Sequence, residues 1–459
     1  MPTGDAGSHD RRPVISAEMS LAIAIVGAGP AGFYTAEALL NKSPEARIDI
    51  VERLPTPFGL VRAGVAPDHQ STKQIVNRFE KTAGSAAVCF FGNVEIGRDI
   101  SLDELRLVYD AVVLAVGAPR DRPLGIPGEG LKGVYGSAAF VGWYNGHPDY
   151  HDLDPLLDTE TAVVVGNGNV ALDIARVLAK SSAELAPSDI TDAARIAIDR
   201  SPLRDIHIVG RRGPADTKFA PAELREIGRL ETCVPVVDAS TVTSQKRSPA
   251  SKKNPAIEKN LMMFRQFAER DPQGSPKRLH FTFFAAPVEI IGDERVRAIR
   301  IERTRMTNGR LERTGAVDTL PCGLVASAIG YRGSPLPDVP YDADRGLIRS
   351  DDGRVDTGLY AVGWARRGPT GVIGTNKPDG IQCAEQIAAD VPSGAKAGRP
   401  ALERLLAERH VQCVRFEDWQ RIDAAEISQA LAPAPRRKFT SVDDMLSALK
   451  GKPQHAGPK

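Results

Sequence analysis

The feature that most constrains this chain is one turn written twice. Ile23–Glu37 reads IAIVGAGPAGFYTAE, and Val163–Asp173 reads VVVGNGNVALD. Each puts a glycine turn after an apolar strand and before a helix. In Gly27-Ala28-Gly29-Pro30-Ala31-Gly32 the glycines have separate tasks. Gly27 permits a tight turn, Gly29 lets a pyrophosphate approach the backbone, and Gly32 lets helix and strand pack closely. Free N–H groups at the helix start then face the anion. The second turn, Gly166-Asn167-Gly168-Asn169-Val170-Ala171, has alanine in the third place, which the pattern permits. A turn with no ligand is the competing reading, and the residues after each turn weigh against it.

The strand after the first turn, Ile48–Val51, ends at Glu52. A carboxylate there accepts hydrogen bonds from ribose hydroxyls. The strand after the second turn, Ile206–Val209, is followed instead by Arg211 and Arg212. A carboxylate repels a 2′-phosphate, whereas guanidinium groups bind it through charge-assisted forks. Two dinucleotides are therefore expected at once: NADP(H) at the second turn, and NAD or FAD at the first.

At 459 residues the chain has room for two or three domains. A third strand, Leu359–Val362, runs into a glycine-rich turn and a helix expected over 380–389. Strands alternating with helices imply an α/β fold, its parallel sheets covered on both faces. Two segments, VVLAVGAPRD at 112–121 and LVASAIGYRG at 324–333, read as strands that leave their sheets. They bracket a domain at 118–330 inserted into one built from 21–117 and 331–459. Residues 1–20 read as a flexible tail, 248–259 as a polar basic loop, and the last residues as disordered. From Gly398 onward the pattern is helical with Pro-rich gaps.

Composition excludes several classes. Net charge is +1, so no global field points to nucleic acid or an anionic membrane. The apolar run Leu21–Ala36 is too short to span a bilayer and contains Pro30, so no transmembrane segment is expected. The first twenty residues lack the apolar core of a secretory signal. Cys89, Cys233, Cys322, Cys383 and Cys413 are scattered, which fits reduced thiols in the cytoplasm. With no C-x-x-C, a thiol–disulfide reductase of this architecture is set aside. No metal-ligand spacing is present, and neither H-E-x-x-H nor G-x-S-x-G occurs.

The stretches VGAGPAGFYTAEALL, PFGLVRAGVAPDHQ, FFGNVEIGRD, FVGWYNG, GNGNVALDIAR, VGRRGP, ELRE, LPCGLVASAIGY and GWARRGPTGVI occur in order from about residue 22 to 380. Together with FEDW at 416–419 they resemble adrenodoxin reductase and the bacterial NADPH–ferredoxin reductases. Many two-dinucleotide flavoproteins carry an aspartate after the glycine of the third strand; Trp364 stands there instead, which fits this family. The resemblance implies two Rossmann-like domains, with the NADP domain (118–330) inserted in the FAD domain. It implies hydride transfer from NADPH to FAD, then single-electron transfer to a small [2Fe–2S] ferredoxin-type protein.

By the same resemblance, FAD contacts fall on Ala31, Glu52, Leu60, Ile96, Trp364, Gly371, Val372 and Ile373, and NADP(H) contacts on Asn167, Gly168, Asn169, Val170, Arg211, Arg212, Glu223 and Gly371. His69 and Glu223 match residues near the flavin–nicotinamide meeting point, where they would position the nicotinamide or relay protons. Lys246, Arg247, Lys252, Lys253 and Lys259 are candidates for a basic patch facing an acidic ferredoxin, and Arg366 and Arg367 could serve either cofactor. An FAD/NADPH monooxygenase-like enzyme and a non-catalytic nucleotide-binding sensor are the competing readings. Oxygen consumption coupled to hydroxylation would mark the first. Bound nucleotide without flavin reduction would mark the second.

Overall fold

The computed structural model of the protein describes residues 20–243, 254–391 and 393–451. The N-terminal tail up to residue 19, the residues after 451, and Lys246, Arg247, Lys252 and Lys253 lie outside them.

Two six-stranded sheets organise the molecule. The first has the order Arg354–Asp356, Leu359–Ala361, Ala111–Leu114, Ala22–Val26, Arg47–Val51, Val88–Phe91. Its neighbours run parallel except for the first pair. The central strands AIAIV and AVVL are buried at every position, as strands covered on both faces must be. The Pro30–Lys42 helix packs here against the Asn376–Asp390 helix. The approach is so close that a Cβ on Gly380 would lie 2.8 Å from the Thr35 nitrogen.

The second sheet has the order Val134–Gly136, Leu324–Ser327, Thr161–Val165, Asp205–Val209, Lys277–Thr282, Cys233–Val237, all parallel. One face packs on helices, chiefly Asn169–Ala179. The other face differs from the helical cover expected of alternating strands and helices. A three-stranded antiparallel meander, Ala285–Gly292, Val296–Thr307 and Arg310–Pro321, lies there. Val296, Ile299 and Ile301 pack with Val163, Val165 and Val209, while Arg297, Arg300 and Arg303 face water. That near-alternation is the pattern of a strand with one wet face.

The chain crosses between the sheets twice, and the two crossings pair. Arg120–Asp121 runs antiparallel to Tyr331–Arg332 as a two-stranded ribbon. Ion pairs also join the lobes. Arg53 forks onto Asp149 at 2.9 and 2.7 Å, Arg176 Nε lies 2.8 Å from Asp68, and Lys73 Nζ lies 2.6 Å from Asp189. The C-terminal segment ties into the same seam. Phe416 and Trp419 sit in the first lobe's core, and Lys438 Nζ donates to the Asn145 carbonyl at 3.0 Å. Removing one partner of a buried pair strands the other's charge, at about 3–5 kcal/mol.

One expectation fails locally. The loop expected over 248–259 gives way to a helix over Pro255–Ala268, with 248–253 outside the described residues. Asn254 caps it, accepting a hydrogen bond from the Ala256 N–H at 3.0 Å. Leu261, Phe264 and Phe267 form its buried face, which the polar first turn hides from a local reading. Among the described residues no helix is long and apolar enough to cross a membrane.

Candidate dinucleotide sites

Each glycine turn lies at the carboxyl end of a central strand of its sheet, where open α/β sheets bind ligands. Gly27 has φ +108°, and a Cβ on it would stand 2.5 Å from the Ala115 carbonyl oxygen. Gly166 repeats this at φ +150°, with the Ala328 oxygen 2.3 Å from the same hypothetical atom. These two positions exclude side chains on steric grounds. Gly29 and Gly168 behave differently. Each is the N-cap of its helix, and a Cβ there would meet nothing within 4 Å. Open space over unpaired helix N–H groups is a cradle for a phosphate. A Cβ on Gly32 would meet the Gly27 oxygen at 2.1 Å, which accounts for the close helix.

Glu52 bridges the first turn. Its carboxylate accepts from the Ala28 N–H at 2.9 Å and the Leu54 N–H at 3.1 Å. Burial pushes its pKa up, against those two hydrogen bonds. Ile96 is on the neighbouring loop, whose Val94 N–H bonds to the Glu52 carbonyl at 2.9 Å. Two further segments converge here. Phe58 N–H donates to the Ala28 carbonyl at 2.8 Å, which places Gly59 against Gly29, and the half-exposed Leu60 follows it. Gly363 abuts Ala31, since a Cβ on it would lie 2.6 Å from the Ala31 Cβ. Trp364 follows, stacked on Tyr331 with ring centroids 5.9 Å apart. Its Nε1 donates to the Thr370 carbonyl at 3.1 Å, closing an exposed turn that carries Gly371, Val372 and Ile373.

At the second turn Asn167 packs its side chain against Gly210 and leaves Oδ1 buried without a hydrogen-bond partner. Asn169 Oδ1 accepts from the Ala220 N–H at 2.8 Å and so anchors the Pro221–Ile227 helix, which carries Glu223. Val170 packs against the helical core. The Arg211 and Arg212 carbonyls are pinned by Thr304 Oγ1 at 2.7 Å and the Phe284 N–H at 3.2 Å. Both side chains are exposed, and neither guanidinium has a partner among the described residues. Two free guanidiniums on a fixed backbone suit a phosphate. The residues present therefore fit two dinucleotides, one with an acid at its ribose and one with arginines.

The pyridine nucleotide-disulphide oxidoreductase family matches residues 21–187. The human mitochondrial NADPH:adrenodoxin oxidoreductase is 41% identical over 450 residues, covering 93% of this chain and 91% of its own length. The NADPH-ferredoxin reductase FprA of Mycobacterium leprae is 41% identical over 92% of this chain and 97% of its own. The structure of Mycobacterium tuberculosis FprA in complex with NADPH superposes with a TM-score of 0.91 at 38% identity, over 94% of this chain and 100% of that one. The chain belongs to the adrenodoxin reductase and NADPH–ferredoxin reductase family.

Within this family member, His69 and Glu223 come together from opposite lobes. His69 Nε2 lies 2.8 Å from Glu226 Oε2 and 3.2 Å from Glu223 Oε2. The rest of this cluster belongs to no sequence motif. Asp68 takes Arg176 at 2.8 and 2.9 Å and Lys180 at 2.7 Å. Asp173 lies 2.9 Å from Arg176 Nη1, close enough for an ion pair but misaligned for a hydrogen bond, and its Oδ1 is unsatisfied. A signal was available: Asp173 and Arg176 are the only charges on the VALDIARVLA helix, three residues apart and so on one face.

The cluster's electrostatics follow from its crowding. Burial would depress His69, yet the Glu226 hydrogen bond, with Asp173 and Asp68 near, holds its pKa above the ordinary value. Burial and the Asp173 charge push Glu223 up. The His69 bond pulls Glu226 down. Such an arrangement can hold a proton on His69 with an acceptor of either neighbouring carboxylate beside it.

Arg366 and Arg367 are not free for a ligand. Arg367 Nε lies 2.7 Å from Asp379, and its Nη2 donates to Thr375 and Asn376 at 3.0 Å. Arg366 Nη1 donates to Gln382 at 3.0 Å. Arg367 braces the turn after Trp364, and Arg366 ties the Asn376–Asp390 helix to the Asp352 carbonyl. Of the basic-patch candidates, Lys259 alone is described; it is exposed on the Pro255–Ala268 helix.

Proposed function

We propose that this chain is an FAD-dependent NADPH–ferredoxin reductase. The observation that carries the reading is the pair of matched helix cradles, closed by Glu52 in one lobe and by unpartnered Arg211 and Arg212 in the other. Flavin held in the first cradle would supply the change of electron count, between the two-electron hydride of NADPH and a one-electron iron–sulfur acceptor.

The chain's own residues bind and orient. The first turn and the N–H groups of the Pro30–Lys42 helix would take the FAD pyrophosphate, and Glu52 its ribose. Leu60 and the Trp364–Ile373 turn would bound the flavin end. The second turn, with Asn167 to Val170, would take the NADP(H) pyrophosphate, and Arg211 and Arg212 the 2′-phosphate. His69 and Glu223, held in the seam, would position the nicotinamide or move a proton near it. On this reading residues 21–117 and 331–459 form the FAD domain, and 118–330 the NADP domain. The distribution of strands between the two sheets supports that division. The acceptor is a ferredoxin-type protein, as the names of the relatives suggest. A cytoplasmic setting is supported by five free cysteines, three of them buried.

Anaerobic mixing of the yellow protein with NADPH tests the reading. The flavin band is expected to bleach, and to recover on adding an oxidised [2Fe–2S] ferredoxin. A colourless preparation that takes up no flavin, or a band that NADPH leaves unchanged, would falsify it.

A further inference from the structure

A second histidine cluster lies on the two strands beside the one that leads into the second turn. Strands Asp205–Val209 and Lys277–Thr282 run parallel with His280 opposite His207 and Arg278 opposite Asp205. Ile206, Ile208, Leu279 and Phe281 fill the helical core, so alternation puts Asp205, His207 and His280 together on the other face. The imidazoles stack with centroids 4.3 Å apart and planes 8° apart. One ligand atom from each of Asp205, His207 and His280 lies within 4.8 Å of the others.

We propose that Asp205, His207 and His280 form a binding site for a divalent transition-metal ion, with Zn²⁺ as the ion its donors fit. Two imidazole nitrogens and one carboxylate oxygen are a borderline donor set, suited to zinc and poor for magnesium. Two properties of the cluster support this. His207 has no hydrogen-bond or ion-pair partner among the described residues, so its nitrogens are uncommitted. Asp205 is already oriented, because Arg278 takes Oδ2 at 2.7 Å and leaves Oδ1 facing His280 Nε2, also at 2.7 Å. An ion would enter where that His280–Asp205 contact now closes, with the His207 ring turning out of its stack on His280 so that a nitrogen faces the ion. Arg278 would remain as the group that fixes the carboxylate. The Asp205 and His280 side chains are partly exposed, at 20% and 24%, so water can complete the coordination.

The ion would tie two adjacent strands of the second lobe, one of which leads to Arg211 and Arg212. Binding to the folded state alone raises the melting temperature. The test is calorimetric titration of the metal-stripped holoenzyme with Zn²⁺, and separately with Mg²⁺. One saturable equivalent of Zn²⁺ is expected, with no Mg²⁺ binding over the same range and a rise in Tm. His207→Asn and His280→Asn should each weaken Zn²⁺ by about tenfold or more. Their Tm in chelator should stay near that of the unmodified chain. No saturable zinc heat, or affinity unchanged in both variants, overturns the assignment. If a variant fails to fold, zinc-edge anomalous density from a soaked crystal of the unmodified chain decides. A peak within bonding distance of Asp205 Oδ1 and a nitrogen of each of His207 and His280 supports the site, and a peak elsewhere or none refutes it.

Discussion

The two glycine turns share a backbone and differ at the end of the next strand. Gly27 and Gly166 each turn the chain where a Cβ would strike a carbonyl oxygen, and Gly29 and Gly168 each leave an open cap. Glu52, however, is internally satisfied, its oxygens held by two N–H groups at the rim of its own turn. Arg211 and Arg212 have only their backbones held, with their side chains in water. The difference teaches that binding a dinucleotide and choosing one are separable. On the proposed function the turns would supply the pyrophosphate site common to both ligands, and the strand ends the sign of charge that discriminates.

The largest effect should come from removing the discriminating charge. Arg211→Ala with Arg212→Ala loses two charge-assisted contacts worth about 1.5–3 kcal/mol each. The KM for NADPH should rise by about a hundredfold or more, while that for NADH moves by about twofold or less. Steady-state kinetics with both nucleotides checks it; equal losses would remove the phosphate-pocket assignment.

Next comes a pair of substitutions within one turn. Gly27→Ala meets a backbone oxygen at 2.5 Å in a positive-φ conformation. Strain of about 1–3 kcal/mol plus the clash should lower the Tm of even the flavin-free protein by about 5 °C or more. Gly29→Ala meets nothing within 4 Å. It should leave the flavin-free Tm nearly unchanged and instead reduce flavin content, because the methyl fills the cradle. If both variants lose stability alike, the cradle at Gly29 serves the fold and not a ligand.

These turns were legible in the sequence because all their determinants are local. A strand, three small residues and a helix start lie within one short segment, and the parallel α/β class follows from their repetition. The antiparallel meander over Ala285–Pro321 was not read, since its apolar positions depart from strict alternation and its last strand is mostly exposed. Only half of the seam cluster is legible in the sequence. His69 and Glu223 entered through a resemblance. Asp68, Arg176, Lys180 and Glu226 join them only when the loop before Gln70 meets two helices of the other lobe. Arg366 and Arg367 show the reverse failure. Two arginines beside a glycine turn look available, yet their guanidiniums are consumed by Asp379, Gln382 and the turn itself. Charge can be read from the sequence, but whether a charge is already spent depends on tertiary contacts.

A smaller change sharpens the first lobe's side of the comparison. Glu52→Gln keeps the shape and at least one N–H acceptor but removes the charge. Losing a charged acceptor at the ribose should weaken flavin by about 5–10-fold, equivalent to about 1–1.4 kcal/mol. Dialysis followed by flavin titration measures it. If NADPH affinity falls in this variant as much as flavin affinity, Glu52 is not specific to the first cradle.

The smallest effect concerns His69, where the two lobes meet. Its proton is held more tightly in the folded chain, because the Glu226 bond and nearby acids outweigh burial. A proton favoured by the fold stabilises it fully below the unfolded histidine value of about 6.5. That contribution disappears as pH rises through the higher folded value. Between about pH 6 and pH 9 the Tm of the unmodified protein should therefore fall further than that of His69→Gln, by about 2 °C. Glu226 is lowered by the same bond and stays ionised across this range, so it contributes no opposing slope. Burial raises Glu223 and Asp173 while the His69 charge lowers both, so the difference between the two proteins reads His69 together with the carboxylates it faces. Parallel melting profiles would mean that the imidazole fills the seam as a neutral spacer, and the carboxylates around it would then have only Arg176 and Lys180 for compensation.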